Sequence, residues 1–257
     1  MEFKHLKFKG INMYGWRTRI GLLIPSSNTT MEMEFHQAVP KGVSVHTARM
    51  TLPEVTSMKE KTNAIIQMND EIESAASKLA NIEPTIIVYG CTLGSFFEGL
   101  RHEIEIIRKI KKSTNISAIT VSTAVVNAIK FLGLKRISIA TPYVEEINKQ
   151  EKSFIEKSIL GTEVIDIKGL GIIGNIPKGR LDPFSSYKFV KNLDDPKSQG
   201  VFISCTNWRT FEIIESLEKD LQKPIVTSNQ ASLWAALKFA GIREPNINLG
   251  TLFAKSY

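Results

Sequence analysis

The chain has 257 residues, of which 42% are hydrophobic and 23% charged, as is ordinary for a soluble globular protein. This length allows one large domain or two small ones, and no apolar run reaches the roughly 18–20 residues that cross a bilayer. The net charge of +7 comes from lysines spread along the chain without a zinc-finger, RNP or basic-zipper signature, so we expect neither a nucleic-acid nor a membrane partner. The N-terminus has no apolar block of signal-peptide type, which predicts a cytoplasmic protein.

Strand and helix patterns alternate from residue 19 onwards, after a basic extension over residues 1–18. Apolar runs of four to eight residues indicate buried strands, and longer amphipathic segments indicate helices. The first series comprises a strand over 19–25, a helix over 28–39, a strand over 43–50, a helix over 57–81, a strand over 84–90, a helix over 95–112, a strand over 117–121 and a helix over 122–132.

The pattern then restarts, as an internal repeat would. "RIGLLIP" (19–25) and "RISIATP" (136–142) both begin Arg-Ile and end in proline, and a cysteine follows each at a similar distance. Alternating strands and helices predict an α/β fold with two pseudo-symmetric, doubly wound parallel-sheet domains. The second series comprises a strand over 135–142, a helix over 143–159, a strand over 163–170, a glycine-rich loop with a polar helix, a strand over 200–205, a helix over 207–221, a strand over 223–228 and a helix over 229–241.

The chain has only two cysteines, Cys91 and Cys205, and each ends a predicted strand in its own half. No C-x-x-C pair is present and the four histidines are scattered, so we expect neither a structural disulfide nor a metal site. Ligands of open α/β sheets bind at the carboxyl ends of strands, where a helix N-terminus lowers the pKa of a nearby thiol. We therefore expect some thiolate at neutral pH. The alternative is that each cysteine is a small buried hydrophobic residue.

Other polar residues follow the predicted strands. "PSSNTT" (25–30) places Asn28 where it either caps a helix or binds a carboxylate, and Tyr143 occupies the corresponding point of the second half. Asn175, in the glycine-rich loop, either reaches the cleft or belongs to a plain loop. Arg209 either pairs with a carboxylate or is a surface residue. The loop is not a dinucleotide fingerprint, because no helix pattern opens at its glycines.

At "PSSNTTME", "YGCTLGS", "SCTNWRT" and "VTSNQASLWAAL" the sequence resembles maleate cis-trans isomerases of the aspartate/glutamate racemase superfamily. The likeness runs from about Arg19 to Gly241. It implies an active site in the cleft between two α/β halves, no cofactor, and a homodimer or higher oligomer. It also implies that the C-terminal helix returns to the first half, so that residues 19–121 with 229–257 form one domain and residues 122–228 the other.

The resemblance also implies residue roles. Cys91 would be the nucleophilic thiolate and Cys205 the acid, with Asn28, Tyr143 and Asn175 as substrate ligands. Backbone N–H groups of four further residues would bind the substrate carboxylates: Thr92, Leu93, Thr206 and Asn207.

The expected reaction is conversion of maleate, or a related small cis-dicarboxylate, to fumarate through a cysteine-bound intermediate. Related arylmalonate decarboxylases keep the second cysteine but have glycine at the first position, so Cys91 argues against decarboxylation. Amino-acid racemases show Cys-Asn-Thr at the first cysteine, whereas this chain has Cys-Thr-Leu. Two alternatives stay open: a two-cysteine racemase of small acids, and a non-catalytic dicarboxylate-binding protein.

Overall fold

Two four-stranded parallel sheets form the core of the protein, in a computed structural model that describes residues 13–243 and 245–256. The fold class is therefore as the sequence predicts. Of the basic extension expected over residues 1–18, residues 1–12 lie outside the described residues, and Thr18 already belongs to the first strand. The strands are β1 (Thr18–Pro25), β2 (Val43–Met50), β3 (Ile86–Tyr89), β4 (Ala118–Thr120), β5 (Arg136–Thr141), β6 (Glu163–Gly169), β7 (Gly200–Ile203) and β8 (Ile225–Thr227).

The two sheets have the same strand order relative to their own chain segments. The first runs β2-β1-β3-β4 and the second β6-β5-β7-β8, with every pairing parallel. The central strands β3 and β7 are fully buried apolar runs, "IIVY" and "GVFI", because helices cover both faces of each sheet. Since all strands of a sheet end at one edge, the residues after β1, β3, β5 and β7 gather in space.

Helices connect the strands, and most begin and end within a few residues of the predicted bounds. Some are capped as their sequences suggest: Ser57 and Glu60 form a reciprocal capping box at the start of the second helix. The helices are α1 (Met31–Ala38), α2 (Met58–Asp70), α3 (Ile72–Ala80), α4 (Thr92–Phe96), α5 (His102–Thr114), α6 (Val121–Leu132), α7 (Glu145–Ser158), α8 (Ile176–Gly179), α9 (Pro183–Leu193), α10 (Phe211–Leu221), α11 (Ser228–Phe239) and α12 (Gly250–Ala254).

Two predicted helices are each divided. The segment over 57–81 is interrupted at Glu71, whose N–H bonds to the Met68 carbonyl three residues back instead of continuing the α-helical ladder. The segment over 95–112 is interrupted between α4 and α5, where Gly99 and Arg101 have positive φ angles of 84° and 87°. The second interruption matters for function, because it leaves α4 as a short separate helix directly after Cys91.

The helices α6 and α11 pack against each other between the two sheets. α11 contacts β3 and β4 of the first sheet and β8 of the second sheet, and α6 likewise contacts β4 and β8. The domain boundaries drawn from the sequence stay a prediction. No helix in the described part of the chain has the length and apolar character needed to span a membrane.

Candidate active site

A small cavity of about 40 Å³ lies between the carboxyl edges of the two sheets. β3 ends at Tyr89, two residues before Cys91, and β7 ends at Ile203, two residues before Cys205. Each sheet therefore contributes one cysteine to the lining of this cavity. Its lining includes all nine residues that the sequence analysis singles out as site residues: Asn28, Cys91, Thr92, Leu93, Tyr143, Asn175, Cys205, Thr206 and Asn207.

Cys91 is the residue immediately before α4, and its sulfur accepts a hydrogen bond from the Gly94 N–H at 3.3 Å. The N–H groups of Thr92 and Leu93 begin the same helix and therefore have no acceptor within it. Both residues line the cavity. Cys91 thus occupies the strand-to-helix junction that the sequence predicts, beside donors suited to a carboxylate.

The prediction of a lowered thiol pKa for Cys91 is wrong for this structure. Burial raises the pKa of the Cys91 thiol to about 11, although the Gly94 N–H, Lys61 and Lys178 all act to lower it. The Cys205 sulfur adds a smaller upward contribution. Desolvation of the thiolate outweighs the helix N-terminus because the side chain is almost entirely removed from water.

Cys205 lies in a different local structure from Cys91. The sequence predicts a helix from residue 207, but α10 begins only at Phe211, after a turn. Cys205 itself has a φ of 117°, a strained value for a residue with a side chain. Its N–H donates to the Ser228 hydroxyl at 3.0 Å, which also accepts from the Thr92 hydroxyl at 3.1 Å. Ser228, the first residue of α11, therefore joins the two cysteine loops.

The Cys205 thiol is buried as that of Cys91 is. Burial raises the pKa of its thiol, and Lys178, the Tyr143 hydroxyl and the Asn207 N–H oppose that rise. Burial also raises the pKa of Tyr143 well above its usual value, with the Cys205 sulfur contributing. Tyr143 thus remains a neutral hydroxyl beside Cys205 at any physiological pH.

Asn28 caps the start of α1 and also contacts the second half across the cleft. Its side-chain oxygen accepts from the N–H groups of Thr30 and Met31 at 2.9 and 3.0 Å, which caps α1. Its side-chain nitrogen faces the cleft and donates to the Thr206 hydroxyl at 3.1 Å, joining the two halves. Thr206 in turn donates to the Gly90 carbonyl at 3.0 Å.

Asn207 closes the cleft through side-chain contacts. Its oxygen accepts from the Thr29 N–H at 2.8 Å and from the Thr30 hydroxyl at 3.2 Å, both in the first half. Its nitrogen donates to the Asn175 carbonyl at 3.0 Å. Sequence reasoning assigned Asn207 only a backbone role, because contacts between residues 178 positions apart leave no trace in local patterns.

Asn175 reaches the cavity, so the plain-loop alternative is wrong. The Glu54 carboxylate accepts from the N–H groups of Asn175 and Ile176 at 2.9 and 3.0 Å, across the cleft. The Asn175 side chain donates to the Pro53 carbonyl at 2.8 Å and accepts from the amino group of Lys61.

Two lysines in the cavity were missed by sequence reasoning. Lys61 on α2 and Lys178 on α8 are 2% and 3% exposed and line the cavity with both cysteines. The available signal for Lys61 was its place in the apolar stripe of α2, four residues before the buried Ile65. Arg209, by contrast, points outward and pairs with Glu212, as the surface alternative expects.

The protein therefore belongs to the class of two-lobed α/β proteins in which each parallel-sheet unit contributes one cysteine to a shared cavity. Within that class, the chain belongs to the arylmalonate decarboxylase family, whose model matches residues 20–253. It is 26% identical over 253 residues to a maleate isomerase of Geobacillus stearothermophilus, covering 93% of this chain and 98% of the relative. It is 29% identical over 150 residues to the arylmalonate decarboxylase of Bordetella bronchiseptica, covering 57% and 61% of the two chains.

Solved structures share the fold. A mutant maleate isomerase of Pseudomonas putida with maleate superimposes with a TM-score of 0.84 and 22% identity, covering 92% of this chain and 97% of that one. A mutant maleate cis-trans isomerase of Nocardia farcinica with a covalently bound succinylcysteine intermediate gives a TM-score of 0.80 and 19% identity, covering 88% and 94%.

Proposed function

We propose that this protein is an isomerase that converts maleate, or a closely related small cis-dicarboxylate, to the trans isomer without a cofactor. The observation that carries the proposal is the pair of free, buried thiols at one cavity, one from each half. The maleate isomerases among the relatives, and the succinylcysteine intermediate in one of them, support the same chemistry.

The reaction begins with the Cys91 thiolate. Its sulfur forms a bond to one alkene carbon, and the π electrons move towards the neighbouring carboxylate as an enediolate. Thr92 and Leu93 at the start of α4 and Asn28 line the cavity. The N–H groups of the first two and the side-chain amide of Asn28 stabilise that charge. Cys205 then gives its thiol proton to the second carbon, which leaves a succinyl thioether on Cys91 and a thiolate on Cys205.

The former double bond is now single and rotates. The Cys205 thiolate takes the proton back, the carbon–sulfur bond breaks with its electron pair returning to Cys91, and the trans alkene leaves. Atoms and charge balance over the cycle, and no redox step occurs. Burial raises the pKa of both thiols. This keeps the proton on Cys205 for its role as the acid, whereas Cys91 has to be ionised within a site that contains two lysines.

Proton NMR of the protein with maleate in deuterated buffer tests the activity. We expect fumarate to appear. Deuterium entering the α-carbon of aspartate or glutamate, without fumarate, would favour the racemase instead. Binding of maleate with neither reaction would leave a dicarboxylate-binding protein.

Single cysteine variants test the division of labour. Cys91→Ser should lose nearly all isomerisation, because a neutral hydroxyl without a base is a poor nucleophile. Cys205→Ser should fall by orders of magnitude yet still permit slow addition to Cys91. Intact-protein mass spectrometry after maleate treatment should show a gain of one maleate on Cys205→Ser and none on Cys91→Ser. Full activity in either variant would remove that cysteine from the mechanism.

We further propose that the enzyme works as a homodimer or higher homo-oligomer in the cytoplasm. Both cysteines are free thiols, which fits a reducing compartment and so supports the proposed location. Light scattering coupled to size-exclusion chromatography measures the oligomeric state, and a monomeric mass with full activity would contradict the proposed assembly.

A further inference from the structure

The cavity contains two buried amino groups that the cysteine mechanism does not use as reacting groups. Lys61 comes from the first half and Lys178 from the second, and both are buried among the residues that enclose the thiols. A buried ammonium group is costly unless it is paired or fully hydrogen-bonded. Two of them at one cavity therefore call for a physical reason.

Neither amino group is fully satisfied by the protein. An ammonium group has three donors. Lys61 donates to the Asn175 side chain, and Lys178 donates to the Ile173 carbonyl at 3.0 Å while lying 5.2 Å from the centre of the Tyr143 ring. Within the described residues, no carboxylate lies at ion-pairing distance from either one. Both amino groups therefore keep N–H donors that can bind an anion entering the cavity.

We propose that Lys61 and Lys178 determine specificity for a dianionic substrate, by together binding one of its two carboxylates while the cysteine loops hold the other. The inference rests on the proposed function for the substrate, and it adds the two residues that select the dianion. Because the lysines come from opposite halves, a carboxylate between them also favours the closed cleft.

The protonation of the pair fits this role. Burial lowers the pKa of Lys61 to about 7, with Lys178 contributing and both cysteines opposing, and burial also lowers the pKa of Lys178. The groups that face the pair are the two thiols and the Tyr143 hydroxyl, with Glu54 beside Lys178. An entering carboxylate would add negative charge next to both amino groups and so favour their charged forms.

Binding measurements in a Cys91→Ser background separate specificity from turnover. The probes are maleate and maleamate, in which a neutral amide replaces one carboxylate. We expect maleate to bind at least about tenfold more tightly at neutral pH. Lys61→Met and Lys178→Met should each weaken maleate binding on the order of 30-fold and maleamate binding far less, because a desolvated ion pair is lost only with the dianion.

The matched control is Lys59→Met, an exposed lysine on the same helix as Lys61, which should bind both probes as the parent does. Lys178→Arg keeps the positive charge and should retain part of the preference for maleate. If Lys178 had only a structural role, the arginine and methionine variants would show the same preference. Equal losses for both probes, or an unchanged ratio in both methionine variants, would overturn the inference.

A second measurement needs no lysine substitution and applies if those variants do not fold. In the Cys91→Ser protein, maleate affinity should fall as pH rises through about 7, because Lys61 loses its proton there, and maleamate affinity should change less. A flat profile for maleate from neutral to alkaline pH would overturn the inference.

The NMR assay distinguishes the two proposals. Lysine-dependent preference for maleate without fumarate formation would support the specificity and contradict the isomerase. Fumarate formation with an unchanged ratio of maleate to maleamate affinity in the methionine variants would support the isomerase and contradict the specificity. Binding of neither probe would overturn the specificity.

Discussion

At the scale of single residues, Cys91 is subject to opposing electrostatic effects. The Gly94 N–H and two lysines favour the thiolate, and removal from water disfavours it. Burial prevails in the closed cavity, so the thiol form dominates at neutral pH. Nearby cations then matter more, because in a dry site their attraction for the thiolate is weakly screened.

Alkylation of Cys91 against pH measures this balance. In the Cys205→Ser protein, iodoacetamide should react with an apparent pKa well above the ordinary thiol value of about 8.5. Adding Lys178→Met should raise it further, since Lys178 also favours the thiolate.

The matched control is again Lys59→Met, which should leave the alkylation profile unchanged. An apparent pKa below about 8.5 in the parent would mean that the helix N-terminus outweighs burial, as the sequence alone suggested.

At the scale of elements, the loop before Cys205 depends on a buried carboxyl of α7. The Ser204 hydroxyl donates to Glu151 at 2.5 Å, and Glu151 is 1% exposed. Burial raises the pKa of Glu151 to about 8, with Ser204 opposing the rise. The folded protein therefore holds a proton on Glu151 at pH values where an unfolded chain has released it.

This proton makes stability depend on pH. Because the folded state binds more protons than the unfolded state between about pH 4.5 and 8, the free energy of unfolding should fall as pH rises through that window. Glu151→Gln stays neutral and keeps an acceptor for Ser204. Relative to wild type it should gain stability across the window, on the order of 2–4 kcal/mol.

Urea unfolding at a series of pH values checks the effect. Glu34, whose pKa burial raises to about 7, adds a slope of the same sign to both proteins and cancels in the comparison. The exposed Glu145→Gln, also on α7, should follow the wild type. Parallel profiles for wild type and Glu151→Gln would show that Glu151 is ionised in the folded state.

At the scale of the whole molecule, the site exists only while the two halves are closed. The Glu54 carboxylate binds the N–H groups at the start of α8, and Asn207 binds the loop before α1. α8 carries Lys178 and follows Asn175, so these contacts position cavity-lining residues from the second half against the first. A Cβ at Gly179 would lie 2.5 Å from the Thr29 hydroxyl, which shows how close the halves are.

Removal of Glu54 should open this face of the cleft. Glu54→Ala should raise KM and lower kcat/KM for maleate on the order of tenfold or more, since Asn175 and Lys178 lose their fixed position. Because Glu54 is exposed, the free energy of unfolding should change by no more than about 2 kcal/mol.

Hydrogen exchange distinguishes opening from general damage. The segment over 171–182 should exchange faster in Glu54→Ala, and the β3 and β7 strands should not. Glu73→Ala, an exposed carboxylate on α3, should match the wild type in both measurements. Unchanged exchange and kinetics in Glu54→Ala would remove Glu54 from the closure.

The sequence by itself determined the parallel α/β architecture, the repeat and the position of both cysteines at strand ends, and its resemblance to maleate isomerases implied the nine site residues that line the cavity. The architecture and the cysteine positions follow from local apolar runs and from the rule that parallel strands end at a common edge. Cys91 and Tyr143 could be assigned to the site because each lies two residues beyond a strand that its own local sequence specifies.

Tertiary structure alone decided the electrostatics and the closure. Whether Cys91 ionises depends on burial by both halves, and Lys61 enters the cavity from a helix with no cysteine nearby in sequence. The Asn207–Thr29 contact and the Glu54–α8 contact join residues more than 100 positions apart. A pKa sums effects over every neighbouring group in space, so no local pattern in the chain could have supplied it.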